Sequence, residues 1–417
     1  MATPAAPLTE KGYVSSSGSM WWVSADDHEA TPELRWPLSI PVYDAMRRQD
    51  AQVASVLRAV QLPVRRTAWR LDWSGCRPEV NELVSADLGL PLVGAPAESN
   101  PRRTRDRFSW SEHLQLALLE MVFGHMVFEQ NYRVDAQGFI RLRKLAPRMP
   151  RTISSFNVAR DGGLTSITQS GIGTPGSADV VIPVSQLVVY VNDREGGNWT
   201  GTSLLRPAYK HWIIKDRLMR VQAQTIERNG MGVPRYTGAE GESDLTAGLN
   251  QAKAWRAGSN SGAAIPNGAH LDLVGVDGDL PDADTPIRYH DEQIARAVLA
   301  HFLNLGTQTG SWALGSTFAD FFTLSLQALA MQIADVANQH IVEDLVDLNW
   351  GEDEPAPRIV FDEIGSQAPA TAQALKLLVD AGLLRPDGAL EEAVRQQYAL
   401  PAADPDAVPP TPPEEAA

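Results

Sequence analysis

Residues 286–349 constrain the fold of this chain more than any other stretch, because they predict two helices joined by a loop. In the second helix, apolar residues recur every three or four positions, the period of one helical face. The members of this face are Phe318, Phe322, Leu326, Leu329, Ile333, Val336, Ile341, Leu345 and Leu348. At a rise of about 1.5 Å per residue, some thirty residues extend roughly 45 Å. We therefore expect an amphipathic helix over residues 318–349 that spans a whole domain.

The connection between these two helices, residues 305–317, contains several glycines together with Trp312 and Leu314. Glycine frees the backbone, and the small polar residues of this segment offer no apolar face to a core. We predict a projecting loop whose tryptophan is exposed or contacts a neighbouring subunit. An ordinary helical hairpin is the alternative that the local pattern leaves open.

The length and composition indicate a folded protein with room for more than one domain. The 417 residues include 43% hydrophobic and 21% charged residues, which is ordinary for a globular chain. No apolar run reaches the roughly eighteen residues of a membrane span, and the amino terminus lacks the features of a signal peptide. We expect synthesis in the cytoplasm and no membrane contact.

The charge balance and the cysteine count exclude several kinds of site. A net charge of −15 argues against a protein that grips nucleic acid, since duplex affinity comes largely from Lys and Arg that neutralise phosphates. The same charge suits a protein past which DNA slides without adhering. The single cysteine, Cys76, excludes an internal disulfide and a thiolate metal cluster within one chain.

The first half of the chain predicts a loosely held arm over residues 1–30, followed by a mixed body of helices and strands. Ser109 and Glu112 form an S-x-x-E capping box, which predicts the start of a buried helix that continues through Gln130. Gly124 within this segment predicts the close approach of another backbone. Residues 131–193 are short runs rich in β-branched residues, typical of antiparallel strands.

The second half predicts a small lobe between helices. Residues 243–257 predict a helix, residues 258–287 a compact non-helical segment, and the next helix follows to residue 304. After the long helix, residues 366–400 predict a pair of short helices. Residues 401–417 form a Pro-rich acidic tail with no apolar content to fold around.

The sequence carries no motif for catalysis, for a metal or for a cofactor. The eight histidines show no metal-ligand spacing, and no nucleophile elbow or phosphate loop is present. The glycines at 171, 173 and 176 have dinucleotide spacing, but a predicted strand follows them where that motif needs a helix. We therefore expect no catalytic residues, metal or cofactor. A hydrolytic enzyme whose site is assembled from distant carboxylates in the β-rich middle is the alternative from another class.

Several segments together resemble the portal proteins of tailed bacteriophages, in particular the Mu-like branch. Residues 43–69 resemble the opening helix and strand of that family, and residues 124–132, GHMVFEQNY, are similar to its G-x-x-x-x-E segment. Residues 201–238 resemble its G-x-S-L-L helix, which ends at an Asn-Gly turn. LVDLNWG and LVDAGLL also have counterparts near the end of the family, so the resemblance covers about residues 40–400.

The resemblance implies an α+β portal fold that forms a ring. The implied regions, in chain order, are an α/β wing (31–242), a stem helix (243–257), a clip (258–287), a second stem helix (288–304), a tunnel loop (305–317), a long wing helix and strand (318–365) and a short helical crown (366–400).

The resemblance also implies a structural role in the virion rather than an enzymatic one. Family members form a homo-oligomeric ring, expected here to be a dodecamer, at one capsid vertex for DNA packaging and ejection. The implied partners are the terminase large subunit, a head-to-tail connector, the major capsid protein and the double-stranded DNA in the channel. Tunnel-loop residues near DNA would be Gly310, Ser311, Trp312 and Leu314. Clip residues that contact the terminase or connector would be Ile265, Asn267, His270 and Asp272. A head-to-tail adaptor is a further alternative.

Overall fold

The chain divides into two compact units, Met1–Arg206 together with Val298–Ala417, and Pro207–Ala297. We refer to them as the body and the insert. The computed structural model describes residues 14, 29–94, 108–171, 178–230, 233–254, 264–274, 282–297 and 312–365, with backbone alone at 228–230, 233 and 312–320. The predicted crown and tail lie outside these residues, as does the predicted arm apart from residues 14, 29 and 30.

The described residues form a mixture of helices and antiparallel strands. The helices are α1 (Ser39–Gln49), α2 (Ala51–Arg66), α3 (Pro78–Leu88), α4 (Trp110–Ala117), α5 (Glu120–Phe123), α6 (Tyr209–Gly230), α7 (Thr246–Ala254), α8 (Asp284–Arg296), α9 (Trp312–Ala337) and α10 (Glu343–Trp350). The strands are β1 (Trp69–Asp72), β2 (His125–Val134), β3 (Ile140–Arg148), β4 (Ile153–Val158), β5 (Leu164–Gln169), β6 (Val180–Pro183), β7 (Leu187–Val191), β8 (Val233–Thr237), β9 (His270–Val274) and β10 (Arg358–Phe361). None of the helices in the described part of the chain is long and apolar enough to cross a membrane.

The strands of the body pair as the β-branched runs predict. β3, β2 and β7 form one antiparallel sheet, β4, β5 and β6 form another, and β1 pairs with β10. The two three-stranded sheets share an apolar cluster that includes Val127 of β2, Ile167 of β5 and Val189 of β7. The prediction of antiparallel strands over residues 131–193 is therefore confirmed.

The predicted helix from Ser109 to Gln130 is wrong beyond Phe123. Ser109 does cap α4 by accepting a hydrogen bond from the Glu112 amide at 3.4 Å, but the chain turns at Gly124, whose φ is +87°. The next residues form β2, a central strand paired on both sides. The first four residues of β2 are all buried, so they read as a continuous apolar run rather than as an alternation. Such a run cannot be distinguished from a buried helix by periodicity alone.

The long helix begins earlier than predicted and is not purely α-helical. α9 begins at Trp312, so the predicted loop is wrong for residues 312–317, because a single glycine at 315 does not stop the helix. Residues Asn338–Val342 form a π-helical turn before α10. The predicted apolar face is buried at most described positions, including Phe322, Ile333 and Leu345, but Leu348 is 48% exposed.

The π-helical turn coincides with side-chain bonds that tie the helix to strands of the body. The buried Asn338 accepts a hydrogen bond from the Ile359 amide at 2.7 Å and donates one to the Ile359 carbonyl at 3.3 Å. The Gln130 side-chain amide, from β2, donates to the His340 carbonyl. Buried backbone and side-chain polar groups at the turn thereby find partners.

The insert does not coincide with any single region that the family resemblance implies. It begins at Pro207 and contains α6, which packs along α8, so residues 207–242 lie in the insert although they were assigned to the wing. α8 begins at Asp284, so residues 284–287 are helical although they were predicted as part of the lobe. The predicted helix over 243–257 is observed at Thr246–Ala254, and residues 255–263 lie outside the described part of the chain.

Candidate functional site

Two segments with family-like motifs, around Gly124 and around Gly201, lie against each other in the body. Both glycines have positive φ, +87° and +64°. An added Cβ on Gly124 would lie 2.4 Å from the Thr200 carbonyl oxygen, and one on Gly201 would lie 2.2 Å from the Gly124 carbonyl oxygen. These positions therefore require glycine for conformation and for space.

Hydrogen bonds extend this contact along both segments. The Gly124 carbonyl accepts from the Asn192 amide at 2.8 Å, and the Met121 carbonyl accepts from the Leu204 amide at 2.8 Å. The buried Ser203 hydroxyl donates to the Val122 carbonyl at 2.5 Å. The G-x-S-L-L sequence thus has a structural role, because its residues supply hydrogen-bond donors to the backbone carbonyls of the α5–β2 turn.

The body also encloses titratable groups that cannot reach a substrate. Glu120 is fully buried, and burial, with a contribution from the Asp193 charge, raises the pKa of its carboxyl to about 8. Burial lowers the pKa of His113 to about 3, and its Nε2 is hydrogen-bonded to the Tyr190 hydroxyl at 2.8 Å. Gln332 of α9 donates to the Val191 carbonyl at 2.7 Å and lies 3.5 Å from a Glu120 oxygen. This arrangement fastens the long helix to the sheet.

The insert is organised by a polar contact between α6 and α8. His211 Nδ1 lies 3.0 Å from His290 Nδ1, and the Lys215 ammonium lies 2.5 Å from an Asp291 carboxylate oxygen. Burial, then the charges of His290 and Lys210, lower the pKa of His211. These side chains are paired across two helices, so the contact specifies how α6 and α8 align.

The imidazole pair is too small a set of ligands for the metal sites that proteins build from side chains alone. Such sites normally use three or four nitrogen, sulfur or oxygen ligands. Among the described residues, no group of three or more His, Cys, Asp or Glu side chains is placed to hold a metal ion.

The small lobe of the insert consists of the β8–β9 ladder and α7. The Tyr236 ring occupies the space over Gly248, where an added Cβ would lie 2.0 Å from the ring. The Tyr236 hydroxyl donates to the Glu242 carboxylate at 3.1 Å, and the same carboxylate accepts from the Ala239 amide at 2.9 Å. A lobe with so few strands depends on contacts of this kind for a fixed shape.

The structure brings the predicted clip residues together on this lobe. Ile265 and Asn267 precede β9, and His270 and Asp272 lie within it; all four are exposed. Asp272 has an ion pair with Arg235 of β8 at 3.5 Å, which stabilises little because both groups are exposed to solvent. The four side chains are available for contact with another molecule.

Two of the four predicted tunnel-loop residues, Trp312 and Leu314, fall at the start of the long helix. Trp312 is the first residue of α9 and Leu314 lies in its first turn, so both belong to helix rather than to loop. Gly310 and Ser311 lie outside the described residues. The helix therefore begins within the segment predicted to project.

Sequence reasoning did not single out the exposed apolar side chains of α6. Ile214 and Val221 are 45% and 51% exposed, and Met219 and Ile226 are 50% and 65% exposed. Each pair is seven residues apart and hence lies on one face, since seven residues make about two turns. The two faces lie on either side of the row that carries His211 and Lys215. The seven-residue spacing of each pair is visible in the sequence, but whether another element of the subunit covers these side chains is not.

A family model described as the portal protein of Mu bacteriophage matches residues 40–400 of the chain. The chain belongs to this portal family. As a portal protein, it has a structural role at the capsid vertex and is not an enzyme. The alternatives of a hydrolytic enzyme and of a head-to-tail adaptor are therefore wrong.

Solved structures from gene transfer agent (GTA) particles share the fold of this portal protein. A chain of the neck of the empty GTA particle, computed with C6 symmetry, has a TM-score of 0.56 at 11% identity, with 87% of this chain and 94% of that chain covered. A chain of the native GTA virion has a TM-score of 0.54 at 11% identity, with 86% of this chain and 93% of that chain covered. A chain of the neck of the native GTA particle, computed with C12 symmetry, has a TM-score of 0.53 at 10% identity, with 86% of this chain and 93% of that chain covered. The predicted α+β portal fold is confirmed.

Proposed function

We propose that copies of this chain form a closed ring, expected to be a dodecamer, that conducts double-stranded DNA through one capsid vertex. The match to the portal family over residues 40–400 carries this proposal. In it, a separate ATP-driven terminase threads the genome inward through the ring, and the same channel later releases it. The protein itself supplies a conduit and docking surfaces and performs no chemistry.

The α6 helix supplies what a ring interface requires. A ring is built from heterologous contacts, in which one face of a subunit meets a different face of its neighbour. Ile214 with Val221 and Met219 with Ile226 form two exposed apolar rows on different faces of one helix. Exposed apolar surface of this kind is typical of association sites.

The net charge of −15 favours a channel that does not retain DNA. Multiplied around a ring, acidic and neutral residues repel phosphates and allow the duplex to move, whereas a channel lined by Lys and Arg would hold it. We expect Asp, Glu and neutral polar residues to dominate the channel surface. An assembled ring whose channel is mostly Lys and Arg would contradict this part of the proposal.

The segment from Gly310 to Leu314 is our candidate for DNA proximity in the channel. We expect Trp312→Ala to leave assembly unchanged but to reduce the amount of DNA packaged or retained, because the side chain would contact the moving duplex. Trp73→Ala is the matched control, since Trp73 is 48% exposed and lies in the body beside β1. Both variants are compared by particle mass and by DNA content per particle. If Trp312→Ala abolishes assembly, the segment is an assembly element instead.

The exposed lobe is our candidate for docking of the terminase large subunit and, after packaging, of the head-to-tail connector. Ile265, Asn267, His270 and Asp272 lie on its surface, and the three polar ones offer hydrogen-bonding groups to a partner. We expect Ile265→Asp to weaken binding of purified terminase at least tenfold without a change in assembly. The control is Leu62→Asp, an exposed apolar site in α2 of the body. Equal binding by both variants would exclude the lobe as the docking surface.

The remaining contacts follow from the location at the vertex. We propose that the body meets the major capsid protein, and that the chain is synthesised in the host cytoplasm before it enters the virion. Cross-linking of assembled particles tests the first statement, because body peptides should link to the capsid protein more often than lobe peptides do.

A further inference from the structure

The long helix α9 carries an exposed apolar row on the side opposite its buried face. Phe321, Leu324 and Met331 are 59%, 63% and 54% exposed, and the exposed Ala328 lies between the last two. Successive members are three or four residues apart, so they form a single stripe along the helix. A helix whose buried face already packs on the body has no need of a second apolar face for its own folding. Something else must cover this stripe.

The last described residues of the chain lie directly beside the stripe. The amide of the buried Ile364 donates to the Gln327 side-chain oxygen at 3.0 Å. An added Cβ on Gly365 would lie 2.9 Å from the Thr323 methyl group. Thr323 and Gln327 form the row between the buried face of α9 and the stripe. The last described residue, Gly365, therefore lies against α9, at the edge of the exposed apolar surface of that helix.

The sequence that follows has the pattern and the reach to cover the stripe. Residues 371–384 place Leu375, Leu378 and Val379 on one helical face and Gln373, Lys376 and Asp380 on the other. The five residues 366–370 extend up to about 17 Å, and the stripe from Phe321 to Met331 is about 15 Å long.

We propose that residues 371–384 of the same chain form an amphipathic helix that docks on the stripe formed by Phe321, Leu324, Ala328 and Met331. The tether favours the chain's own segment over a second copy, because an attached segment has an effective concentration near the millimolar range at any protein concentration. This contact would fasten the predicted crown to the long helix within each subunit, and it does not depend on the proposed DNA conduit.

Hydrogen exchange of the full chain, followed by mass spectrometry of peptides from residues 371–384, tests this proposal. Leu324→Gln combined with Met331→Gln removes apolar surface while Gln keeps a high helix propensity. We expect exchange in 371–384 to be at least tenfold faster in this double variant than in the wild type. Leu348→Gln is the control, because Leu348 is exposed on α10 away from the stripe, and it should leave exchange unchanged.

Three results would overturn the proposal. The first is equal exchange of residues 371–384 in the wild type and in the double variant. The second is protection of 371–384 in the wild type that disappears on dilution to monomers, which would show that contact with a second copy, not with the stripe of its own chain, protects this segment. The third is rapid exchange of these residues in the wild type at every concentration. Exchange of residues 326–337 is measured in parallel, and Phe321→Gln replaces the double variant if α9 itself loses protection.

Discussion

Gly124 and Gly201 are in backbone contact, so closely that a methyl group on Gly201 would lie 2.2 Å from the Gly124 carbonyl oxygen. The two glycines come from segments that are distant in the sequence and that each resemble a motif of the portal family. Their contact joins the turn before β2 to the segment that ends the first half of the body. The structure thus accounts for both motifs by packing within the body.

Gly124→Ala should destabilise the protein more than Gly138→Ala does. Both glycines have a φ near +90°, but an added Cβ on Gly138 has no atom within 4 Å. We expect Gly138→Ala to cost about 1 kcal/mol for the backbone conformation alone, and Gly124→Ala to cost about 2–3 kcal/mol more for the collision with backbone atoms. Urea unfolding measures both. Equal losses would show that the turn relaxes and that the close approach is not required.

The stability of the body should fall as the pH rises through the range in which Glu120 ionises. The folded pKa of about 8 lies above the ordinary 4.5, so the protonated carboxyl is favoured in the fold. The contribution of this group to the free energy of unfolding is fully present below pH 4.5 and is lost as the pH rises toward 8. Between pH 5 and 7 the loss is on the order of 3 kcal/mol.

Glu120→Gln should remove this dependence, because an amide of the same size does not ionise. We expect the urea midpoint of the variant to be less sensitive to pH between 5 and 8 than that of the wild type. Glu33→Gln, at an exposed carboxylate, should leave the wild-type dependence intact. A variant with an unchanged pH profile would show that Glu120 ionises without cost in the fold.

The strands, the long helix and the exposed lobe could be predicted from the sequence because their signals are local. β-branched runs separated by glycine turns gave the antiparallel sheets, and the spacing of Phe322, Leu326 and Leu329 gave the buried face of α9. The family resemblance depended on motifs that keep their order along the chain. These features can be predicted without knowledge of which elements pack against each other.

The errors arose where tertiary contacts decide the outcome. The run after Gly124 is rich in apolar residues, and only its pairing with β3 and β7 makes it a strand. The alignment of α6 with α8 depends on partners 79 residues apart, such as His211 and His290, which no local pattern connects. The start of α9 at Trp312 was missed because helix ends depend on a few marginal residues.

The contact between α6 and α8 should weaken as the pH falls below about 6.5. The pKa of His211 is lowered from 6.5, so the neutral imidazole is favoured in the fold and protonation opposes the contact. A further proton on this pair would place two N–H groups opposite each other, near the Lys210 charge that already lowers the pKa of His211. We expect faster hydrogen exchange in residues 209–227 at pH 5 than at pH 8, after correction for intrinsic rates.

His211→Gln is the variant that isolates this effect. It should reduce the difference in exchange between pH 5 and pH 8, whereas His270→Gln, at the exposed His270 of β9, should not. If the difference persists in His211→Gln, another group controls the contact.

Replacement of an apolar residue of α6 by a charged one should prevent ring closure. Ile226 is 65% exposed, so Ile226→Lys removes little packing within the subunit but places a charge in the proposed interface. We expect the variant to be folded by circular dichroism and at least tenfold weaker in self-association by analytical ultracentrifugation. Leu62→Lys, at a comparably exposed residue of the body, should assemble normally. Normal assembly of Ile226→Lys would place the interface elsewhere.

The central claim is that this chain closes into a ring around a channel for DNA, and cryo-electron microscopy of the purified full-length protein over a range of concentrations tests it most directly. The account predicts closed rings, expected to contain twelve subunits, with an axial opening wide enough for a duplex and with the start of α9 facing that opening. Monomers at every concentration, or a closed assembly without an axial channel, would contradict it.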